Sequence, residues 1–192
     1  MIAIIKYNAG NISSVQNALS RLGYESVITD NATTILQAEK VIFPGVGEAS
    51  SAMKYLRKKE LDKVILAIKQ PMLGICLGLQ LMCTYSEEGQ TECLGIFDSE
   101  VKRFPPKEIV PHMGWNNFTS LESQLFNKVE KENDVYYVHS YYATVCKSTV
   151  ATCDYITPFS AAMQKNNFYA SQFHPEKSAI IGEQILKNFL EL

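Results

Sequence analysis

Apolar and polar positions in the first half of the chain fall into two alternating kinds of block. Short apolar runs, "IAIIKY", "YESVIT", "KVIFPG" and "PMLGI", have the length and content of strands. Between the first two, Ile12, Val15, Leu19 and Leu22 recur at spacings of three and four, which is one buried helix face, and Gly23 follows as a stop. "TTILQAE" predicts a short helix, residues 51–69 carry helical spacing, and another helix starts at Leu77. Strand and helix repeated in this way predict an α/β fold: a mostly parallel central sheet with helices on both faces.

From Gly95 onward the pattern changes. "IFDSEVKRF", "HMGWNNF", "DVYYVHSYYATV", "STVATCDYI" and "NFYASQFH" are β-rich, with Pro and Asn/Asp between them. They predict hairpins or a small antiparallel β extension. Ile180, Ile181, Ile185, Leu186 and Phe189 give the apolar face of a closing helix. No repeat, low-complexity tract or linker intervenes, so residues 1–192 read as a single domain. Ligands of such sheets bind beyond the carboxyl ends of the strands, which directs attention to "YNAGN", "PGVGEAS" and "GICLG".

Composition then removes classes of function. With 46% hydrophobic residues, 20% charged residues and a formal net charge of −2, the chain has no basic stripe, so neither nucleic acid nor a membrane surface is expected as a partner. Arg57-Lys58-Lys59 is followed at once by Glu60 and reads as a solvated helix face. The apolar start is short for a signal peptide, and no segment approaches the ~20 residues that span a bilayer, so the expected compartment is the cytoplasm. Five cysteines, an odd number, argue for free thiols. No CxxC or clustered Cys/His spacing is present, so no metal site is expected, and nothing in the chain calls for a cofactor.

One cysteine has a special setting. In "GICLG", Cys76 stands where a strand stops and a helix starts, between Gly74 and Gly78. That is the pattern of a nucleophile elbow, in which side chains at the flanking positions would collide with neighbouring backbone. The N–H of Leu77 is then placed to receive a developing oxyanion, and the helix start favours thiolate. The bland alternative is a buried cysteine between packing glycines. A thiol nucleophile needs a base, and the base needs an orienting partner. Of three histidines, only His174, in "SQFHPEKS", has a carboxylate close by, Glu176. In extended backbone, which Pro175 favours at His174, the two side chains share a face. A surface turn before a helix explains the same residues, but not in combination with the elbow. A second glycine loop, "FPGVGEAS", lets Val46 approach a ligand between Gly45 and Gly47 as the other half of an oxyanion site. It lacks the Lys-Ser/Thr of a phosphate loop, and a plain turn reads the same residues.

"PGVG", "GICLGLQLM", "PHMGWN", "VHSYY" and "QFHPEKS", in that order, resemble the class I glutamine amidotransferases, and more narrowly the glutaminase subunits of imidazole glycerol phosphate synthase in histidine biosynthesis. The resemblance covers essentially the whole chain. It implies a Cys76–His174–Glu176 triad that hydrolyses glutamine to glutamate and ammonia through a thioester. It further implies that Gln80 and Glu88 hold the amino-acid end of glutamine, that the strip of His139, Ser140 and Tyr141 receives its carboxylate, and that Val46 and Leu77 supply the oxyanion N–H groups. The implied partner is a (β/α)8-barrel cyclase subunit, forming a heterodimer and taking the ammonia. Asn11, Pro111, His112, Met113, Gly114, Trp115, Asn116 and Lys177 would face it. Two positions depart from the family pattern, Asn8 in the first loop and Glu48-Ala49 after "PGVG", and both bear on loop conformation. Two other readings remain: a free-standing cysteine hydrolase such as a γ-glutamyl hydrolase or peptidase, which leaves "PHMGWN" unexplained, and a non-catalytic subunit, which leaves the intact Cys, His and Glu unexplained.

Overall fold

The computed structural model describes residues 1–192. The first half runs β1 (Ile2–Ile5), α1 (Ile12–Arg21), β2 (Ser26–Thr29), α2 (Ala32–Gln37), β3 (Lys40–Phe43), α3 (Ala49–Lys58), α4 (Leu61–Leu66), β4 (Met72–Ile75) and α5 (Leu77–Met82). Strands β1 to β4 pair in parallel. Every residue of β1 and β4 is buried, because helices cover both faces of the sheet. Alternate residues feed opposite cores: Ile2 and Ile4 pack with Val15 and Leu19 of α1, whereas Ala3 and Ile5 pack with Met53, Leu56 and Ile65 of α3 and α4. The helical spacing over 51–69 resolves into two helices rather than one. The break comes at Lys59-Glu60, where Glu60 takes φ +55°, a left-handed turn that no helix can continue through.

The second half contains β5 (Tyr85–Ser86), β6 (Thr91–Glu92), β7 (Glu100–Arg103), β8 (His112–Asn116), β9 (Ser120–Leu121), β10 (Val135–His139), β11 (Tyr141–Ala143), β12 (Thr149–Tyr155), β13 (Thr157–Lys165), β14 (Phe168–Ser171) and α6 (Ala179–Leu190). A four-stranded sheet has the order β11-β7-β5-β6, and β8 pairs with β10 alone. The remaining strands join the main sheet, whose order is β2-β1-β3-β4-β14-β13-β12-β9. Its antiparallel part therefore continues the central sheet: β14 lies parallel to β4, and β13, β12 and β9 follow antiparallel. The last strand in chain order thus sits inside the sheet, between β4 and β13.

Strand β13 has no counterpart among the strands that the apolar pattern predicts. Pro158, Ser160, Ala161 and Ala162 carry no β-branched signal, yet the last three are fully buried between neighbouring layers. In α6, Ile185, Leu186 and Phe189 are buried as the spacing predicts, but Ile180 is 79% exposed. It lies nine residues before Phe189, half a turn out of phase with the buried stripe. No helix is long and apolar enough to cross a membrane.

Candidate active site

The loops that follow β1, β3, β4 and β14 meet at one end of the sheet. Cys76 occupies the corner between β4 and α5 with φ +52° and ψ −106°, a conformation that is costly for an L-residue. Neighbouring backbone holds it there: the Cys76 N–H donates to the Ser171 carbonyl at 2.7 Å, and the Gln80 N–H to the Cys76 carbonyl at 3.2 Å. The flanking glycines fit closely. A Cβ at Gly78 would run into the Phe43 carbonyl, and one at Gly74 would lie 3.0 Å from the Gly78 backbone and 2.5 Å from Met82 Sδ. The thiol lines a pocket of about 280 Å³.

His174 and Glu176 follow β14, which lies beside β4, and so arrive next to Cys76 across 98 residues of sequence. His174 Nδ1 lies 2.8 Å from Glu176 Oε1, with both side chains buried. Asn11 Nδ2 donates to the same carboxylate oxygen. Asn11, expected at a partner face, is thus turned inward to the acid. Burial alone would depress His174, but the charge and hydrogen bonding of Cys76, followed by those of Glu176, outweigh it, so the imidazole is pushed up to about 10. Its Nε2 is buried without a hydrogen-bond partner, as is Glu176 Oε2. The Cys76 sulfur is close enough to His174 to raise it by both charge and hydrogen bonding, although no bond of good geometry forms at Nε2. The arrangement suits an imidazolium beside a thiolate, with one ring nitrogen held and the other free to exchange a proton.

Every residue expected to contact substrate lines the pocket except Gly45. Gly45 packs against Tyr7, whose hydroxyl donates to the Pro44 carbonyl at 2.6 Å and whose phenol burial pushes far above its ordinary range. The Leu77 N–H donates to the Gly45 carbonyl at 3.2 Å. A trans peptide holds C=O and N–H on opposite sides, so the Val46 N–H points away from Leu77. The two N–H groups expected to form an oxyanion hole do not converge in this conformation. Gln80 Nε2 donates to the Tyr141 carbonyl at 2.9 Å and to Gln172 Oε1 at 3.0 Å. Glu88 is half-buried, not a solvated loop acid. Burial raises it, against the Ala49 N–H that its Oε2 accepts at 2.8 Å. The departures at Asn8 and Glu48 serve the start of α3: Glu48 accepts from the Ser50 and Ser51 N–H groups at 3.0 and 2.8 Å, and Asn8 Nδ2 donates to the Ser51 carbonyl at 3.2 Å.

The segment expected to meet a partner is split by its strand. Along β8, Met113 and Trp115 are 63% and 54% exposed, whereas His112 is buried between the rings of Tyr137 and Tyr155 at 4.9 and 4.1 Å. His112 is therefore a core residue, on the inward face that strand alternation gives it. Its Nδ1 lies 2.9 Å from His139 Nε2, and His139 Nδ1 lies 2.8 Å from the Tyr141 carbonyl. That carbonyl can only accept, so His139 carries its proton on Nδ1, and His112 donates to it from Nδ1. Asn116 Nδ2 meets the remaining nitrogen, His112 Nε2, at 3.3 Å. Burial holds His112 down to about 4 and His139 down to about 3, so both are neutral near neutral pH. Pro111 lines the pocket, and Gly114 takes φ +133° between the two exposed side chains. Trp115 packs edge-on to Tyr136 at 5.9 Å, and Lys177 Nζ lies 6.0 Å from the same ring, so these residues share one exposed face with Tyr136.

The local patterns of the sequence do not single out Gln172, Tyr7 or Tyr136. Gln172 is two residues before His174 in "QFHPE", and extended spacing is a signal for it, since i and i+2 share a face. Tyr7 and Tyr136 carry no such signal.

The family model for glutamine amidotransferase class-I matches residues 3–192. Imidazole glycerol phosphate synthase subunit HisH of Bacteroides fragilis is 58% identical over 194 aligned residues, covering 100% of this chain and 99% of the relative. The protein of the same name from Pasteurella multocida is 46% identical, covering 99% and 97%. Among solved structures, PurLQS from Thermotoga maritima has a TM-score of 0.72 at 16% identity, covering 99% of this chain and 97% of that one. The acivicin-bound glutaminase domain of Trypanosoma brucei CTPS has a TM-score of 0.66 at 17% identity, covering 99% and 93%; both likenesses are of fold.

Proposed function

The chain belongs to the class-I glutamine amidotransferases, on the branch of the HisH subunits of imidazole glycerol phosphate synthase, and from that premise we propose that it hydrolyses L-glutamine to L-glutamate and ammonia for a cyclase partner in histidine biosynthesis. The observation that carries this reading is the meeting of Cys76, at the strained corner on the pocket wall, with a buried His174 that Glu176 holds by its far nitrogen.

In this mechanism Gln80 and Glu88 hold the amino-acid end of glutamine, with the strip of His139, Ser140 and Tyr141 around its carboxylate. Cys76 Sγ attacks the side-chain amide carbon, and the C=O electrons move onto oxygen. The Leu77 and Val46 N–H groups stabilise that oxyanion. The C–N bond then breaks, and His174 Nε2 gives its proton to the departing nitrogen, leaving a thioester and neutral ammonia. Water attacks the thioester carbon while His174 takes its proton, the C–S bond breaks, and glutamate is released with the thiolate regenerated. Glu176 keeps Nδ1–H bonded throughout, so Nε2 is the nitrogen that exchanges protons.

The donation from the Leu77 N–H to the Gly45 carbonyl supports a resting state in which the oxyanion site is incomplete. The Gly45–Val46 peptide must turn over before both N–H groups face the substrate. A (β/α)8-barrel cyclase docking on the face of Met113, Trp115 and Lys177, beside the pocket-lining Pro111, would bias that turnover and receive the ammonia. The test is glutamate release by the purified chain, alone and with the cyclase and its nucleotide ligand. Loss of one oxyanion donor costs about 10²–10³-fold, so slow turnover alone and activation of at least about 10²-fold are expected. Full turnover alone, unchanged by the cyclase, overturns the coupled reading and points to a free-standing hydrolase.

A further inference from the structure

Gln172 is wholly buried just past the end of β14, with its main-chain N–H bonded to the Ala161 carbonyl at 2.8 Å. The direction of its side-chain amide follows from its neighbours. The Tyr141 main-chain carbonyl can only accept, so the Gln80 atom 2.9 Å from it is the NH₂ nitrogen. That nitrogen lies 3.0 Å from one terminal atom of Gln172, which must then be the oxygen. The other terminal atom, 3.6 Å from Cys76 Sγ, is therefore NH₂ and points a hydrogen at the sulfur. A carbonyl on one strand thus sets the polarity of two amides in series and ends on the thiol. Helix α5 has only six residues, so its start adds little field at Cys76.

We propose that Gln172 is a positioning residue whose amide N–H bonds to Cys76 Sγ, holding the sulfur as a thiolate aimed into the pocket and linking it to Gln80. His174 supplies the opposite charge, and Gln172 supplies a second, directed contact, its N–H toward the sulfur at 3.6 Å. The inference rests on Cys76 being the nucleophile of the glutaminase proposed above. It gives Gln80 a second role, since a ligand at the Gln80 amide would be felt at the sulfur through one intervening side chain.

The experiment is the pH profile of Cys76 alkylation by iodoacetamide, mapped by digestion and mass spectrometry, in the complete chain and in two variants, alongside glutamate release. Gln172→Glu has the same shape and still accepts from Gln80, but faces the sulfur with an oxygen. Gln172→Met fills the space with no polar group. Hydrogen bonds to charged groups are strong enough that the midpoint for alkylation is expected to move up by about one pH unit in Gln172→Met and further in Gln172→Glu. Turnover should fall by about tenfold or more, with KM little changed in Gln172→Glu. A role confined to supporting Gln80 would leave the Gln172→Glu profile where it began, and that result overturns the inference. Should Gln172→Glu not fold, an unmoved midpoint in Gln172→Met overturns it equally. Glutamate release that survives full alkylation of Cys76 in the unaltered chain would instead remove the glutaminase reading itself.

Discussion

Glu176 Oε1 serves two donors at once, His174 Nδ1 and Asn11 Nδ2, so the acid is fixed from both sides while its other oxygen has no partner. Removing the amide without disturbing the backbone isolates this effect. Asn11 takes φ +66°, which glycine adopts freely, so Asn11→Gly should fold normally. Its kcat is expected to fall about tenfold, from the loss of one hydrogen bond to a charged group, with KM nearly unchanged. Steady-state glutamate release decides this. His174→Ala should cost several orders of magnitude in kcat, because both proton transfers of the proposed mechanism run through it, and Glu176→Gln should cost less. His139→Ala should be milder for turnover but should lower the urea midpoint, since it leaves buried His112 Nδ1 without its partner, while the Tyr141 carbonyl keeps Gln80. At this scale the chain disclosed Cys76, His174 and Glu176, because each stands in a local pattern with its own chemistry. It did not disclose that His112 is buried or that Asn11 reaches Glu176. Those facts depend on which face of β8 meets the core and on a contact across 165 residues.

The early helices were legible by their spacing of three and four, and the early strands as short continuous apolar runs, because both faces of the sheet are covered. The break at Glu60 and the strand β13 were not, since one depends on a single left-handed residue and the other on small residues that pack well but signal nothing. The crossing of α5 over β3 has a sharper test. A methyl at Gly78 would meet the Phe43 carbonyl, which belongs to a rigid strand and cannot rotate aside. Gly78→Ala is expected to destabilise by about 1–3 kcal/mol through overpacking, read from urea unfolding. Activity should fall further than stability, because α5 carries both Leu77 and Gln80. Gly95→Ala is the contrast: no atom lies within 4 Å of the added Cβ, and its cost comes only from φ +69°.

For the molecule as a whole, the buried histidines pull stability in opposite directions. His112 and His139 sit at about 4 and about 3 when folded, below the ordinary value of 6.5, so the unfolded chain binds more protons as pH falls through this range. Stability should therefore drop as pH is lowered from about 6.5 toward 4. His174 is raised to about 10, so its contribution is complete below about 6.5 and is lost as pH climbs toward 10. The expected outcome is a urea midpoint that peaks near pH 6.5 and declines on both sides. Cys76→Ala should shrink the alkaline decline without abolishing it, since Glu176 still raises His174, and leave the acid limb alone.

The interior place of β14 bears on how the protein is born. Cys76 comes 96 residues before Gln172 in the chain, and the strand that delivers Gln172, His174 and Glu176 must slot in between β4 and β13. Until it does, the nascent chain has an open seam through the middle of its largest sheet and a Cys76 without His174 beside it. Under the proposed mechanism no chain can turn over glutamine before the step that closes its sheet. The same seam is where a stalled or truncated chain would offer unpaired strand edges to a chaperone, or to another chain.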